Sequence, residues 1–178
     1  MTRRWLLHEL GGPDPLIEDS KHSEIQWSSV DESKSHDLLR SWDFDVWSYK
    51  EEQLFPFIVE MFNDFGLLER FSVPLEKFQN LLNDVRNNYS KKNPYHNFRH
   101  AFDVTQTVYL LLTNAQAASL LSYIEIFAIL IAALVHDVGH PGLNNNFQIA
   151  TSSMLALRYN DRSILENHHC ATGYTLLR

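Results

Sequence analysis

The residues of this chain that could do chemistry are its histidines. Six of the nine lie in three short blocks that also contain acidic residues. The first block holds His96 and His100, four residues apart, and the second holds His136, Asp137 and His140. Because imidazole nitrogen and carboxylate oxygen are ligands of Zn²⁺ and similar divalent ions, these residues predict a metal site.

Helical spacing predicts that two of these histidine side chains face the protein interior. Two histidines each share a predicted helical face with apolar residues: His100 with Val104, Val108 and Leu111, and His136 with Ile129 and Ala133. A buried imidazole needs a partner, and an unpaired buried carboxylate is costly to desolvate. A bound metal ion would satisfy all of these groups at once.

A single buried histidine is more often a hydrogen-bonded core residue than a metal ligand. The combination of His100, His136, Asp137 and His140 shifts the balance towards a metal site.

The third block leaves two interpretations open. On a helix, Glu166 and His169 share a face, where they could orient water around a metal. Alternatively, the block is a polar helix start, with Asp161 or Ser163 as the N-cap and Glu166 in the first turn. The sequence favours neither.

Apolar periodicity predicts the elements that position these blocks. The expected helices run from Leu54 to Phe65, from Leu75 to Tyr89 after Val73-Pro74, from Ala101 to Leu111, over 122–136, near 147–159 and near 165–177. The helix over 122–136 is apolar on nearly every side, which is typical of a central core helix. No stretch alternates with period two, so the predicted fold class is all-α.

Composition narrows the organisation and the classes of partner. The 178 residues suffice for one domain, with residues 1–40 predicted to be a polar arm or linker and 41–178 the domain. A net charge of −7 argues against nucleic acid as a partner. The apolar stretch Ile124–Val135 is too short to span a bilayer. With a single cysteine and no targeting signal recognised, the expectation is a cytoplasmic protein.

Read together, the three blocks resemble the class I 3′,5′-cyclic nucleotide phosphodiesterases. The resemblance rests on Asn93–Val104, His136–Gly142 and Tyr159–His169, and it extends upstream to Trp42. It implies the N-terminal part of a multi-helix, HD-type catalytic domain.

The resemblance also implies a centre of two divalent metals, Zn²⁺ with Mg²⁺ or Mn²⁺. His100, His136 and Asp137 would bind the first metal, and Asp137 would also bridge to the second. His140 and Glu166 would hold water around the second metal.

Further roles follow from the same resemblance. His96 would be the proton donor, and Tyr95 and Asp137 would join it in contacting the substrate. Asn167 and His169 would support the site.

The implied activity is hydrolysis of a 3′,5′-cyclic nucleotide, cAMP or cGMP or both, to the nucleoside 5′-monophosphate in signal transduction. The implied partner is that substrate, with a dimer as a further possibility. Three other interpretations stay open: a non-catalytic short isoform that binds or regulates a full-length relative, a different metal-dependent phosphohydrolase, and a helical protein without a site.

We expect the purified chain to show little or no turnover, to bind zinc weakly and to self-associate. In the family, a second metal-binding aspartate and the glutamine that grips the purine come after the third block, and neither has a counterpart before Arg178. Cyclic nucleotide turnover and sedimentation velocity on the purified chain check this expectation. Robust turnover of either nucleotide would contradict it.

Overall fold

A computed structural model describes residues 37–178, and within that range every regular element is helical. Residues 37–39 are helical, and eight further α-helices follow: α1 Glu51–Asn63, α2 Leu67–Arg70, α3 Leu75–Asn87, α4 Phe98–Thr113, α5 Tyr123–Val135, α6 Asn145–Ala150, α7 Met154–Tyr159 and α8 Ile164–Leu176. Two short 3₁₀ turns are Val46–Ser48 and Ala117–Leu120. The all-α prediction is confirmed.

The core lies where α1, α3, α4 and α5 meet, and it is rich in aromatic side chains. The rings of Phe62 and Phe78 lie 4.6 Å apart and join α1 to α3. Phe57 meets Phe102 at 6.4 Å and joins α1 to α4. Aromatic pairs of this kind add stabilisation beyond the apolar area that they bury.

The helix α4 buries a different face from the predicted one. Leu111 is 46% exposed, while two polar residues of the same helix, Thr105 and Gln106, are buried. Thr105 donates to the Ala101 carbonyl oxygen at 2.7 Å, and Gln106 donates to the Leu39 carbonyl oxygen at 3.1 Å. Because these polar groups are satisfied, they can occupy the core, which apolar spacing alone does not anticipate.

The helix α5 is also not surrounded by protein within the described residues, so the prediction of a central helix is wrong there. It buries Ile126, Leu130 and Leu134, while Ile124 and Ile129 are 56% and 42% exposed. Apolar side chains are therefore exposed along this side of α5.

The predicted helix near 147–159 is two helices. The helix is interrupted between α6 and α7, where Ser152 has a left-handed φ of 47°. The Ser153 side chain then accepts a hydrogen bond from the Ala156 amide at 3.1 Å and starts α7. The helix expected near 165–177 is confirmed as α8.

The last residues of the predicted arm pack on the helices. Leu39 is fully buried. Arg40 donates to the Tyr109 hydroxyl at 3.0 Å and pairs with the Asp64 carboxylate at 2.8 Å, and the Tyr109 hydroxyl donates to the same carboxylate. Residues 1–36 lie outside the described range, so the boundary between arm and domain stays a prediction.

Replacing Leu82 by Ala should lower the free energy of unfolding by about 2–5 kcal/mol, because Leu82 is fully buried in α3 and the substitution leaves a cavity. Leu75 lies in the same helix but is 50% exposed, so Leu75→Ala should change stability by no more than about 0.5 kcal/mol. Urea unfolding followed by circular dichroism measures both. Equal effects of the two substitutions would contradict this packing.

Candidate metal centre

Two helix ends bring the histidine blocks together. His100 lies in the first turn of α4, where the Asn97 side chain accepts hydrogen bonds from the Arg99 amide at 3.0 Å and the His100 amide at 3.4 Å. This N-cap fixes the start of α4. His136 and Asp137 follow directly after α5. Since α4 and α5 pack side by side, the start of one helix lies beside the end of the other.

Three potential ligand atoms form a nearly equilateral triangle at this point. The Nε2 atoms of His100 and His136 are 3.2 Å apart. Asp137 Oδ2 lies 3.4 Å from Nε2 of His100 and 3.2 Å from Nε2 of His136. Ligands at about 2.0–2.1 Å from a tetrahedral Zn²⁺ lie about 3.3–3.4 Å from one another. The spacing of the donor atoms therefore matches one face of such a site.

Backbone hydrogen bonds fix which nitrogens point inward. His136 Nδ1 donates to the Ala133 carbonyl oxygen and His169 Nδ1 to the Val138 carbonyl oxygen, each at 2.8 Å. In the neutral rings, Nε2 then carries a lone pair, and these atoms lie 3.2 and 3.6 Å from Asp137 oxygens. Lone pairs that face a carboxylate require a positive charge between them, which a proton or a cation supplies.

Without a cation, the charges settle on one ion pair. Burial raises the pKa of Asp137, but the hydrogen bond from His136 and the neighbouring imidazoles outweigh it and bring this pKa to about 2. The Asp137 partner raises the pKa of His136. For His100, burial and the nearby His136 lower the pKa. A divalent cation would take the place of the proton between Asp137 and His136. It would contact the three donor atoms of the triangle.

His140 presents a donor instead of a lone pair. Its Nδ1 accepts a hydrogen bond from the Gly142 amide at 2.9 Å, so the neutral ring carries its proton on Nε2. Burial, followed by the neighbouring His96, lowers the pKa of His140 to about 4. The ring is therefore neutral at pH 7 and suited to donate to water or an anion.

The rings of His96 and His140 stack in parallel at 3.9 Å. The Asn93 side chain donates to the carbonyl oxygen of His96 at 3.1 Å and to that of His140 at 2.8 Å, which ties the two segments together. His96 Nε2 lies 4.0 Å from Asp137 Oδ2, and Tyr95, 62% exposed, places its ring 4.5 Å from that of His100.

The residues of the third block have two different positions: some border the site and others hold the start of α8. Glu166 borders the same cleft as Asp137 and His169. Asn167 instead donates to the carbonyl oxygens of Arg162 and Ser163, both at 3.0 Å. Asn167 thus secures the helix start and reaches the site only through it.

The capping residue of α8 was not anticipated. Ser163 occupies the N-cap position, but its side chain makes no capping hydrogen bond. Asn145 does so from another segment: it accepts from the Leu165 amide at 3.0 Å and donates to Glu166 at 3.1 Å. The asparagine run 144–146 was noticeable in the sequence, but local patterns do not reveal a cap that lies 20 residues away.

A cleft of about 770 Å³ opens from the histidine cluster between α5 and α8. His136, Asp137, His140, Glu166 and His169 line its polar end. The remaining walls are mostly apolar, formed by residues such as Phe127, Ile131, Leu165 and Tyr174. A polar end that contains potential metal ligands beside an apolar wall suits a ligand with an anionic group and a flat apolar part.

Comparison with known proteins identifies a family whose sequences match the residues of this site. The sequence model of the 3′5′-cyclic nucleotide phosphodiesterase family matches residues 95–178, which contain every member of the cluster. Because 80% of this chain is also 49% identical to a protein of that family, the chain belongs to it. No described helix has both the length and the apolar character needed to cross a membrane.

Individual phosphodiesterases show how far the likeness extends. The chain is 49% identical over 142 residues to the 3′,5′-cyclic-nucleotide phosphodiesterase regA of Dictyostelium discoideum, covering 80% of this chain and 18% of that protein. It is 45% identical over 143 residues to the dual specificity calcium/calmodulin-dependent 3′,5′-cyclic nucleotide phosphodiesterase 1C of Mus musculus, covering 78% and 20%.

A solved structure shows the same fold. The phosphodiesterase domain of the Salpingoeca rosetta rhodopsin phosphodiesterase superposes with a TM-score of 0.75 at 41% identity, over 85% of this chain and 46% of that one. The chain thus spans about a fifth of these two curated relatives and just under half of the solved domain.

Metal-free protein should lose stability as the pH falls from about 6.5 to about 4. His140 stays neutral in the fold, so the unfolded state binds the extra proton in this range. In His140→Asn the slope should be shallower, though not absent, because the pKa values of His100 and His169 are also lowered. Urea unfolding in chelator at several pH values measures this. Parallel profiles of wild type and variant would contradict it.

Proposed function

We propose that this chain supplies the metal-binding part of an enzyme that hydrolyses a 3′,5′-cyclic nucleotide, cAMP or cGMP or both, to the nucleoside 5′-monophosphate in signal transduction. The observation that carries the proposal is the triangle of donor atoms from His100, His136 and Asp137. Membership of the phosphodiesterase family and the activities of its named relatives support the same substrate class.

The three triangle residues would hold Zn²⁺, with Asp137 shared with a second ion, Mg²⁺ or Mn²⁺. When bound, such cations neutralise phosphate charge and lower the pKa of water. His140 and Glu166 border the cleft beside Asp137, where an Nε2–H donor and a carboxylate acceptor can fix the orientation of water.

His96 is our candidate for the proton donor. An alkoxide is a poor leaving group, so the departing 3′ oxygen needs a proton as its bond to phosphorus breaks. The His96 side chain is 37% exposed, and its Nε2 lies 4.0 Å from Asp137 Oδ2, so it can reach a phosphate beside Asp137. Stacking on His140 and the Asn93 bridge hold its segment in place.

The remaining candidate residues would contact the substrate or support the site. Tyr95 and Asp137, with His96, border the place where the phosphate would lie. His169 directs Nε2 towards Asp137 Oδ1 at 3.6 Å, and Asn167 secures the start of the helix that carries His169. We assign both a supporting role.

A second candidate function is non-catalytic: the chain binds or regulates a full-length relative. The exposed apolar side chains of α5, Ile124 and Ile129 among them, favour this possibility, because such faces associate with other protein surfaces.

Turnover of radiolabelled cAMP and cGMP by the purified chain, loaded with Zn²⁺ and Mg²⁺, tests the proposal. We expect slow, metal-dependent formation of the 5′-monophosphate, with the variants His100→Ala and Asp137→Ala at background. His96→Gln should retain the cation and bring the slow turnover to background, since loss of a proton donor lowers a rate by about 10²–10⁴-fold. Leu157→Ala, at an exposed residue of α7 outside the site, is the control and should keep the wild-type rate.

The outcomes separate the two candidates. Turnover that His100→Ala leaves unchanged would overturn the assigned site. Absence of metal-dependent turnover, together with formation of a stable complex with a full-length phosphodiesterase, would favour the regulatory function.

A further inference from the structure

Tyr89 lies two residues beyond the end of α3 and seven residues before His96, and in space it meets the second histidine block, 48 residues further along the chain. Its side chain is buried, with 3% exposure. The hydroxyl donates to the Leu134 carbonyl oxygen at 3.0 Å and accepts from the Asp137 amide at 3.2 Å. One phenol therefore bridges the last turn of α5 and the backbone of the carboxylate at the centre of the site.

Both of its partners are backbone groups that lack a hydrogen-bond partner within the helix. The last carbonyls of a helix lack intrahelical donors, and the chain that follows them has no regular hydrogen-bond pattern to fix it. The Leu134 carbonyl and the Asp137 amide lie on either side of His136. Their shared partner fixes the direction in which the chain leaves α5, and hence the placing of both His136 and Asp137.

The neighbouring residue strengthens the same bridge. The Asn88 carbonyl oxygen accepts from the Gly139 amide at 2.9 Å. Residues 88 and 89 thus hold the turn after α5 at two points, Asp137 and Gly139. Burial raises the pKa of the Tyr89 hydroxyl, so the hydroxyl stays protonated and remains a donor at physiological pH.

We propose that Tyr89 is a positioning residue for cation binding: its hydroxyl sets the backbone of Asp137 so that the carboxylate completes the triangle with His100 and His136. This inference rests on the cation site of the proposed function.

A metal site tolerates little displacement of its ligand atoms. Ligand atoms in a metal site must lie within about 0.2 Å of their required distances. The triangle joins residues from two helices, and the triangle edges that involve Asp137 depend on how the chain leaves α5. Removing the hydroxyl leaves a buried carbonyl and a buried amide to find other partners. The expected relaxation is local, and it occurs at the backbone of a ligand.

Cobalt titration of the whole 178-residue chain tests the proposal, with Co²⁺ as a spectroscopic substitute for Zn²⁺. We expect Tyr89→Phe to weaken Co²⁺ binding by about 10-fold or more, the range seen when groups that orient ligands are removed. The visible absorption of bound Co²⁺ should also change, since it reports ligand geometry. A purely structural role would leave that spectrum unaltered.

Tyr109→Phe is the matched control. Tyr109 is likewise a buried tyrosine with a hydrogen-bonded hydroxyl, but its partners are Asp64 and Arg40. It lies nine residues beyond His100, about 13 Å along α4. This variant should lose stability and keep wild-type Co²⁺ affinity and spectrum.

Asp137→Ala separates failure of this inference from failure of the site. If Asp137→Ala abolishes binding but Tyr89→Phe matches wild type, the positioning role is overturned and the cation site stands. If wild type does not bind Co²⁺, or if Asp137→Ala binds it equally well, both are overturned.

A measurement on the wild-type chain covers the case in which Tyr89→Phe does not fold. With tyrosines labelled with ¹³C at the ζ carbon, added Zn²⁺ should shift the Tyr89 resonance and leave that of Tyr109 in place. A Tyr89 signal that does not respond to bound Zn²⁺ would overturn the proposal.

Discussion

The site depends on one electrostatic constraint: several electron-rich atoms meet in a partly buried space where they need a shared positive charge. The carbonyl oxygens of Ala133 and Val138 accept hydrogen bonds from the Nδ1–H groups of His136 and His169, which leaves the Nε2 lone pairs directed at Asp137. In water such an arrangement would disperse. Here the helices hold it in place, and in the function that we propose a bound cation would relieve the repulsion.

Helix ends provide the rigidity that this arrangement requires. His100 is held in the first turn of α4 by the Asn97 cap, and Asp137 is held just beyond α5 by the Tyr89 hydroxyl. Each ligand thus sits at a point where backbone groups need partners outside the helix, and those partners also fix the ligand. The aromatic core between α1, α3 and α4 keeps the helices themselves in register.

The two ends of the cleft have different characters. The polar end comes from groups held by short-range hydrogen bonds, such as the Gly142 amide on His140. The opposite end is apolar and, in the residues described, stays open along α5. In the function that we propose, the cation and the phosphate would lie at the polar end, and a base or another protein surface would contact the apolar end.

The sequence by itself determined the helical class, the helices around His100 and His136 and the residue types that bind divalent ions, because periodicity and ligand chemistry are local properties. It misjudged the buried faces of α4 and α5, since satisfied polar residues such as Gln106 can replace apolar ones in a core and an apolar helix can keep an open side. The family resemblance predicted that His100 and His136 meet, and the tertiary structure shows this contact across 36 residues; only that structure decided that Asn145 caps α8 and that Tyr89 holds Asp137. Contacts of this kind depend on how helices pack against one another, and no local pattern of residues encodes that packing.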